Sequence, residues 1–363
     1  MSEMRTDEAP FYEREIPRLS SWVVWIAFAV VLTSIGVWEY AMRSVGLSTD
    51  DIGESPAHWA VERRKVDAGE AEVAIIGASR ILFDTDLDVF EEVTGIRPVQ
   101  LALAGTSASS FLTDLANDPD FDGLLIIGMT EILYFMPPEV GLYEGNLEHY
   151  RSETPSQRFG HALHLMLSRA LAFIDPDYGL VPLISRGSMG AHERSGTAPP
   201  YDEVWKLAFS ESDRQTSLWH RIETPGHLND HAKHAWMAGW ALRKPTLLEG
   251  FERADETVAA TVRDVDKIRA RGGEVVFVRC PSAVFYQDIE REHLRRSDFY
   301  DRVISETASL GLHFEDYESM QGLDIPEWSH LSASDAKVFT RAYAQELVRQ
   351  SEWLQQRMAR DDT

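Results

Sequence analysis

Ser79 and His330 each follow a short apolar run of the kind that forms a buried strand. Ser79 comes shortly after residues 73–76, and His330 follows the last such run, at residues 312–314. A serine hydroxyl becomes a nucleophile when a base lies within hydrogen-bond reach and a carboxylate orients that base. Glu327, close before His330, is the candidate carboxylate. These residue types predict acyl transfer or ester hydrolysis through a Ser-His-Glu set.

A parallel sheet would bring these distant residues to one edge. Apolar runs without alternation predict strands that are covered on both faces. We place five of them at residues 71–76, 98–103, 123–127, 274–278 and 312–314. Ligands of such sheets bind beyond the carboxyl ends of the strands, where Ser79, Gly105, Thr130 and His330 stand. The sequence therefore predicts an α/β fold, a three-layer sandwich around a five-stranded parallel sheet.

Helix start and stop signals place the helices of this fold. Capping residues and terminal glycines predict helices at residues 86–94, 106–116 and 251–271. Two further helices are predicted at residues 288–310 and 333–355. Together they supply the helical layers that a parallel sheet needs on its faces.

Residues 136–248 interrupt the alternation, contain no strand pattern, and carry loop signals at residues 185–200. We predict a mostly helical insertion or lid. Its histidines share helix faces at a spacing that can bind zinc, but no glutamate completes a catalytic metal motif, and we expect no metal. These histidines are His227, His231 and His234. Its tryptophans either line a carbohydrate groove or pack inside the lid. These tryptophans are Trp205, Trp219, Trp236 and Trp240.

The amino-terminal part of the chain predicts a membrane anchor. Its segment from Leu19 to Trp38 contains no charged residue and is long enough to span the hydrocarbon core as a helix. A cleaved signal peptide is the alternative, but the preceding stretch is acidic and no clear cleavage site follows. We predict a cytoplasmic tail at 1–18, an anchor at 19–40, a helical linker at 41–70 and an extracytoplasmic domain at 71–355.

Composition narrows the class of protein further. The chain has 363 residues, of which 44% are hydrophobic, and a net charge of −24 that repels nucleic acid. Cys280 is the one cysteine, which excludes an intrachain disulfide, and we expect it to be a small buried residue. No phosphate-binding or dinucleotide motif occurs, so no cofactor is implied. Arginines before the anchor predict a cytoplasmic amino terminus, with the main domain in the periplasm beside a bacterial inner membrane.

The chain resembles the SGNH (GDSL-like) hydrolase superfamily over residues 71–135 and 255–350. The family's nucleophile falls on Ser79 in Gly-Ala-Ser, and its oxyanion glycine falls on Gly105. Ala78 stands where the family has an aspartate beside the serine. The resemblance implies a flavodoxin-like fold and an oxyanion hole formed by the backbone N–H groups at these two positions.

Two further blocks of the family can be followed in the sequence. Its Asp-x-x-His falls on Glu327-x-x-His330, so that glutamate replaces aspartate. Its Gly-x-Asn-Asp falls on Gly128–Glu131, so that Thr130 stands where the family has the oxyanion asparagine. The resemblance therefore implies His330 as the base, Glu327 as its orienting residue and Thr130 as a further oxyanion donor.

With its anchor, the chain is similar to membrane-anchored SGNH-like proteins that work beside membrane-bound O-acyltransferases. This resemblance implies transfer of an acyl group, most simply acetyl, to hydroxyls of a cell-envelope polysaccharide, with the bilayer and such an acyltransferase as partners. The alternatives are a catalytically degenerate subunit that binds polymer or scaffolds an envelope complex, and a plain anchored esterase.

Each candidate residue also has a structural interpretation that the sequence leaves open. Ser79 can cap a turn, and His330 can pack locally. Glu327, like Glu131, can face solvent. Arg80 can bind an anionic substrate, but we favour a pairing with Asp84 or Asp86.

Overall fold

The computed structural model describes residues 20–136, 142–179, 181–185 and 204–361. The predicted cytoplasmic tail and most of the loop predicted at residues 185–200 lie outside this part of the chain. The described residues form an α/β fold around a parallel sheet, together with one apolar helix near the amino terminus.

The described chain forms one five-stranded parallel sheet and one small antiparallel pair. The strands are β1 (Val73–Gly77), β2 (Val99–Gln100), β3 (Leu124–Gly128), β4 (Ala208–Ser210), β5 (Thr216–Leu218), β6 (Glu274–Arg279) and β7 (Leu310–His313). The parallel sheet has the order β2-β1-β3-β6-β7, and β4 pairs with β5. All five predicted strands are confirmed.

Helices accompany the sheet: α1 and α2 precede its first strand, and the other described helices come after that strand. They are α1 (Ser21–Val45), α2 (Pro56–Asp67), α3 (Ser79–Asp84), α4 (Leu87–Thr94), α5 (Ala108–Asn117), α6 (Glu131–Tyr134), α7 (Tyr143–Ser152), α8 (Pro155–Ser168), α9 (residues 181–185), α10 (His220–Glu223), α11 (His227–Glu252), α12 (Ala254–Ala270), α13 (Phe285–His293), α14 (Tyr300–Thr307), α15 (Ala333–Gln350) and α16 (Glu352–Asp361). Short 3-10 turns occur at Ala172–Ile174, Pro176–Tyr178, Phe314–Asp316 and Glu318–Met320.

Side chains of β1 alternate between two hydrophobic cores. Ala74 and Ile76 lie in one core together with side chains of α5 and α12. Val73 and Ile75 lie in the other, together with side chains of α4 and α15. Because both faces of the strand are buried, it reads as a continuous apolar run without alternation.

Several predicted elements differ from the structure in detail. The expectation of no strand in residues 136–248 is wrong, because the three-residue strands β4 and β5 are too short to leave a recognisable apolar run. The helix predicted at residues 288–310 is two helices, α13 and α14. The closing helix breaks at Ser351, whose hydroxyl accepts the N–H of Leu354 and caps α16. The amphipathic pattern continues across that cap and conceals it.

The apolar helix α1 matches the predicted anchor and continues beyond it to Val45. Its most apolar window has a mean hydropathy of 1.9 and contains no buried residue. The helix is long and apolar enough to cross a membrane, a property that signal sequences share. Near its end, the Glu39 carboxylate accepts the N–H groups of Ala172 and Phe173, both at 3.1 Å. The helix end is therefore attached to the folded domain.

Buried His58 makes the stability of the fold depend on pH. Burial, together with the neighbouring Arg214 guanidinium, lowers the pKa of His58 to about 4. The neutral ring is within hydrogen-bond distance of the Gly53 carbonyl, with Nδ1 at 3.0 Å. An unfolded histidine has a pKa of about 6.5, so the unfolded chain takes up a proton first as the pH falls. Stability that is fully present above about pH 6.5 is therefore lost towards pH 4, by about 3 kcal/mol.

Substituting His58→Asn, which keeps an N–H donor, should flatten this dependence. We expect the Tm of the variant to fall less than that of the wild type between about pH 7 and about pH 4.5. Thermal melting in detergent at both pH values measures the difference. The exposed His234 provides the control, since His234→Asn should follow the wild type. Equal pH slopes for His58→Asn and the wild type would contradict the assignment.

Candidate functional site

Ser79 lies on a sharp turn between β1 and α3. The turn begins at Gly77, whose φ of 152° lies in the region that favours glycine. A Cβ atom there would also lie 2.9 Å from the carbonyl oxygen of Gly128, on the adjacent strand β3. Ser79 is the first residue of α3 and is half-buried, and its hydroxyl makes no hydrogen bond within the described chain. The hydroxyl is therefore available for chemistry and does not cap the turn.

The loop that carries His330 is organised by Glu327. The Oε1 atom of Glu327 lies 2.9 Å from the His330 Nδ1 atom and also accepts the His330 backbone N–H, at 2.6 Å. Glu327 is fully buried, so the interpretation as a solvent-facing glutamate is wrong. A carboxylate at Nδ1 favours the tautomer with its proton there. The lone pair of Nε2 is then free, and that atom is buried without a hydrogen-bond partner among the described residues.

A second donor to Glu327 comes from the insertion. The indole N–H of Trp236, on α11, donates to the Oε2 atom of Glu327. The ring of Trp236 also packs edge-on against His330, with centroids 6.1 Å apart. Sequence reasoning weighed Trp236 only as a groove or lid residue, because nothing in the sequence links it to a loop so far along the chain.

Helix α3 contacts the histidine loop directly. The ring of Phe83 stacks on His330, with centroids 4.5 Å apart, and the Asp84 carboxylate accepts the N–H of Leu331 at 2.9 Å. Phe83 and Ser79 stand four positions apart on α3 and thus share a helix face. The structure therefore brings the histidine loop and the serine helix together at one edge of the sheet. It contains no direct hydrogen bond between Ser79 and His330 among the described residues.

The two remaining oxyanion candidates follow the neighbouring strands. Gly105 is exposed in a turn with φ of 65°, and Thr130 is buried at the start of α6. A hydrogen bond from the Leu103 N–H to the Gly77 carbonyl, at 3.0 Å, keeps the chain before Gly105 alongside β1. Within the described chain, the backbone N–H groups of Ser79 and Gly105 have no acceptor. Both remain free to bind a developing negative charge.

Arg80 belongs to a buried ion-pair network below this edge. Its guanidinium lies 2.8 Å from the Glu290 carboxylate and stacks over the ring of Tyr286, 4.9 Å from the ring centroid. The predicted pairing with Asp84 or Asp86 is therefore wrong. Arg80 is 2% exposed, which leaves no open face for a polymer, although two of its nitrogen atoms lack a partner in the described structure.

Glu131 and Arg279 complete the network. The Arg279 guanidinium lies 2.6 Å from Glu131 and 2.7 Å from Glu290, and all three side chains are largely buried. The expectation that Glu131 faces solvent is wrong. Burial raises the pKa of Glu131 against the attraction of Arg279. Burial also opposes ionisation of Glu290, but Arg279 and Arg80 hold its pKa below the ordinary value.

Two strained residues meet beside the site. Val284, after β6, has φ of 43°, and Trp328, inside the histidine loop, has φ of 78°. The Ala283 N–H donates to the Trp328 carbonyl at 3.0 Å and joins the two loops. Bulky residues avoid positive φ unless the surrounding structure imposes it, and such strain is concentrated at functional sites.

Cys280 lies at the same edge, directly after β6. Cys280 is buried as predicted, and burial together with Asp84 raises the pKa of its thiol well above the ordinary value. No group of three or more metal-binding side chains occurs in the described residues. Two cavities, of about 590 Å³ beside α5 and about 300 Å³ beside Arg279, are lined by neither Ser79 nor His330.

The predicted tryptophan group does not form one surface. Trp219 is buried against the base of α1, where its indole N–H donates to the Gly46 carbonyl, and Trp205 is 47% exposed. The Lys244 ammonium group lies over the ring of Trp240, 5.6 Å from the ring centroid. Trp236 alone among them contacts the histidine loop in the described structure. The packing interpretation therefore describes Trp219, whereas Trp236 contacts the histidine loop.

Comparisons with known proteins identify no relative of this chain. No protein-family model, curated protein or solved structure matches the chain significantly.

Proposed function

We propose that the chain is a membrane-anchored SGNH-like acyltransferase or esterase that acts on hydroxyls of a cell-envelope polysaccharide. The observation that carries the proposal is the state of His330. Its Nδ1 atom is held by a buried carboxylate, its Nε2 atom is free, and its ring rests on the helix that begins with Ser79. A histidine with a carboxylate at Nδ1 and a free Nε2 atom is the general base that serine catalysis needs.

The fold supports the same class. The order of the parallel strands is β2-β1-β3-β6-β7, which becomes 2-1-3-4-5 when these five strands are numbered in chain order. This order supports a flavodoxin-like fold. Buried cores on both faces of β1 are consistent with a three-layer sandwich. The SGNH-like folds named above share this plan.

The proposed reaction proceeds in two steps. His330 Nε2 takes the proton of the Ser79 hydroxyl as the oxygen attacks the acyl carbonyl carbon, and the N–H groups of Ser79 and Gly105 stabilise the oxyanion. His330 then gives its proton to the departing group, which leaves an acyl-Ser79 ester. In the second step, His330 takes the proton of a polysaccharide hydroxyl, or of water, as that oxygen attacks the ester. Glu327 holds the imidazole throughout.

The anchor reaches the domain close to the candidate site, which favours transfer from a membrane partner. The Arg221 guanidinium donates to the Val45 carbonyl, at the end of α1. One helix further along the chain, the Asn229 amide donates to the Ile222 and Pro326 carbonyls, at 2.8 and 3.0 Å. Pro326 directly precedes Glu327. These contacts link the end of the anchor to the histidine loop through α10 and α11.

Turnover of p-nitrophenyl acetate by the full chain in detergent tests the chemistry. We expect release of p-nitrophenol that a fluorophosphonate, which modifies activated serines, abolishes. A folded, monodisperse preparation that shows neither turnover nor fluorophosphonate labelling would contradict the proposal.

The Trp236 indole gives a sharper prediction. Substituting Trp236→Phe keeps a ring beside His330 but leaves one Glu327 oxygen without its donor, at a cost of about 1–3 kcal/mol. We expect kcat for p-nitrophenyl acetate to fall about tenfold with KM little changed, because the carboxylate orients the base less firmly. The control is Trp240→Phe on the same helix, whose indole makes no hydrogen bond among the described residues. Equal kcat for the two variants would contradict the positioning role.

A non-catalytic subunit is the second candidate. It is favoured by the absence of a Ser79–His330 hydrogen bond in the described structure and by the burial of Arg80. On this alternative, the purified chain binds envelope polysaccharide, and its affinity is unchanged by Ser79→Ala. Sedimentation with insoluble polysaccharide, in parallel with the esterase assay, separates the two candidates.

A further inference from the structure

Helix α8 presents an apolar face that no other part of the described chain covers. Phe159 is 72% exposed, Leu163 is 40% exposed and Met166 is 60% exposed, and Leu167 beside them is 37% exposed. These positions recur at intervals of three and four residues, so they lie on one side of the helix. A stripe of this kind on an amphipathic helix indicates a surface that is covered in the working protein.

The opposite side of α8 is attached to the domain and to the segment that follows α1. The ring of His161 lies beside that of His58 on α2, with centroids 5.8 Å apart. The Ser168 carbonyl accepts the N–H of Asp50 at 2.9 Å, and the ring nitrogen of His164 lies 3.4 Å from the Ile52 carbonyl. The apolar face therefore has a defined direction and points away from the domain.

The chain after α8 contacts the last turns of α1. The hydrogen bonds from Ala172 and Phe173 end on Glu39, which directly follows Trp38, the last residue of the uncharged segment. Trp38 and Tyr40 are 38% and 77% exposed, as aromatic residues at a membrane surface are. The carboxyl end of α8 thus lies where α1 would leave the hydrocarbon.

Further exposed residues follow in the chain after α8 and at the end of α1. Val181 and Ile184 on α9 are 77% and 64% exposed. Arg169, at the end of α8, is exposed and offers positive charge beside the apolar side chains, in a chain whose net charge is −24. Arg43, at the end of α1, is also exposed and pairs with Glu39 at 2.5 Å. Apolar residues flanked by arginine are the composition of helices that lie in a membrane interface.

We propose that the exposed face of α8 lies in the headgroup–acyl boundary of the bilayer that holds α1. The occupant of this face is the lipid surface itself, because the face is continuous with the exposed end of α1. The proposal rests on the proposed membrane insertion of α1 and goes beyond it. It gives the domain a second membrane contact, so that the domain lies on the bilayer instead of moving freely on its linker. The candidate site, which is joined to the same anchor end, is thereby held near the membrane surface.

Fluorescence quenching in the full chain tests this placement. The chain is reconstituted in vesicles of phosphatidylcholine and phosphatidylglycerol, and an environment-sensitive fluorophore is attached to single introduced cysteines. Cys280 is buried, so we expect it to remain unlabelled in the native protein. Treating the unsubstituted chain with the fluorophore verifies this. The probe sites are Met166→Cys on the face and Val30→Cys in α1. The control is Met358→Cys, which is 37% exposed on α16, next to the Arg357–Glu72 ion pair at the opposite edge of the sheet.

We expect nitroxide on the lipid acyl chains to quench the Met166 label at least about threefold more strongly than the Met358 label, as an interfacial helix requires. Iodide on both sides of the vesicle should show the reverse order. A Met166 label that iodide quenches as well as the control, or that neither agent quenches because protein covers it, overturns the proposal. If the Val30 label is quenched by lipid nitroxide in that case, only the α8 contact fails. If lipid nitroxide quenches neither label, membrane insertion of α1 fails as well.

Discussion

Replacing Ser79 by alanine is expected to lower kcat/KM for p-nitrophenyl acetate by at least about 10³-fold, because removal of a nucleophile leaves only binding and oxyanion stabilisation. The fold should not change, since the Ser79 side chain is half-buried and its hydroxyl makes no hydrogen bond in the described structure. Initial rates and thermal melting on the same preparations measure both quantities.

The matched control is Ser110→Ala. Ser110 lies on α5, is also half-buried, and makes no side-chain hydrogen bond within the described chain. Its loss should leave both turnover and Tm near those of the wild type. Turnover that survives in Ser79→Ala, or that is lost equally in Ser110→Ala, would show that another group carries the reaction.

Replacing Arg279 by methionine should cause the largest loss of stability. The substitution leaves Glu131 buried without its partner and removes one of the two guanidinium groups beside Glu290. Removing one member of a buried ion pair costs about 3–5 kcal/mol, because the remaining charge is neither hydrated nor compensated. We expect a clearly lower Tm in detergent at neutral pH.

The loss should also become smaller in acid. Burial already raises the pKa of Glu131 beside Arg279, and removal of the guanidinium raises it further. Protonation of Glu131 then removes the uncompensated charge, so the Tm difference from the wild type should narrow as the pH falls. Arg291→Met is the control, because the Arg291 side chain is 72% exposed and its loss should cost little. Equal Tm values for the two variants would contradict the role of the network.

Local signals were sufficient to predict most of the sheet and several helices. The helix predicted at residues 86–94 is α4, with the Asp86 carboxylate capping Val89 and Gly95 at φ of 77° ending it. These features depend on neighbouring residues and are visible in the sequence. The helix predicted at residues 251–271 begins later, at Ala254, because no side chain caps the start of α12.

Some contacts of the candidate site could be predicted from the sequence, and others could not. The contact between Glu327 and His330 joins residues of one short loop, so their order in the chain indicated it. The partners of Arg80 and Glu131 could not be predicted, because Glu290 and Arg279 stand far along the chain and only the folded sheet brings them near. Such buried pairs are selected by tertiary packing, and local sequence carries no signal for them.

Formation of an acyl-enzyme tests the central claim most directly. The full chain is mixed with p-nitrophenyl acetate, quenched in acid within the first turnover, digested and analysed by mass spectrometry. The account predicts one acetyl group on the peptide that contains Ser79, absent from Ser79→Ala and strongly reduced in His330→Gln. Acetyl groups found only on other residues, or a Ser79 peptide acetylated equally with and without His330, would contradict it.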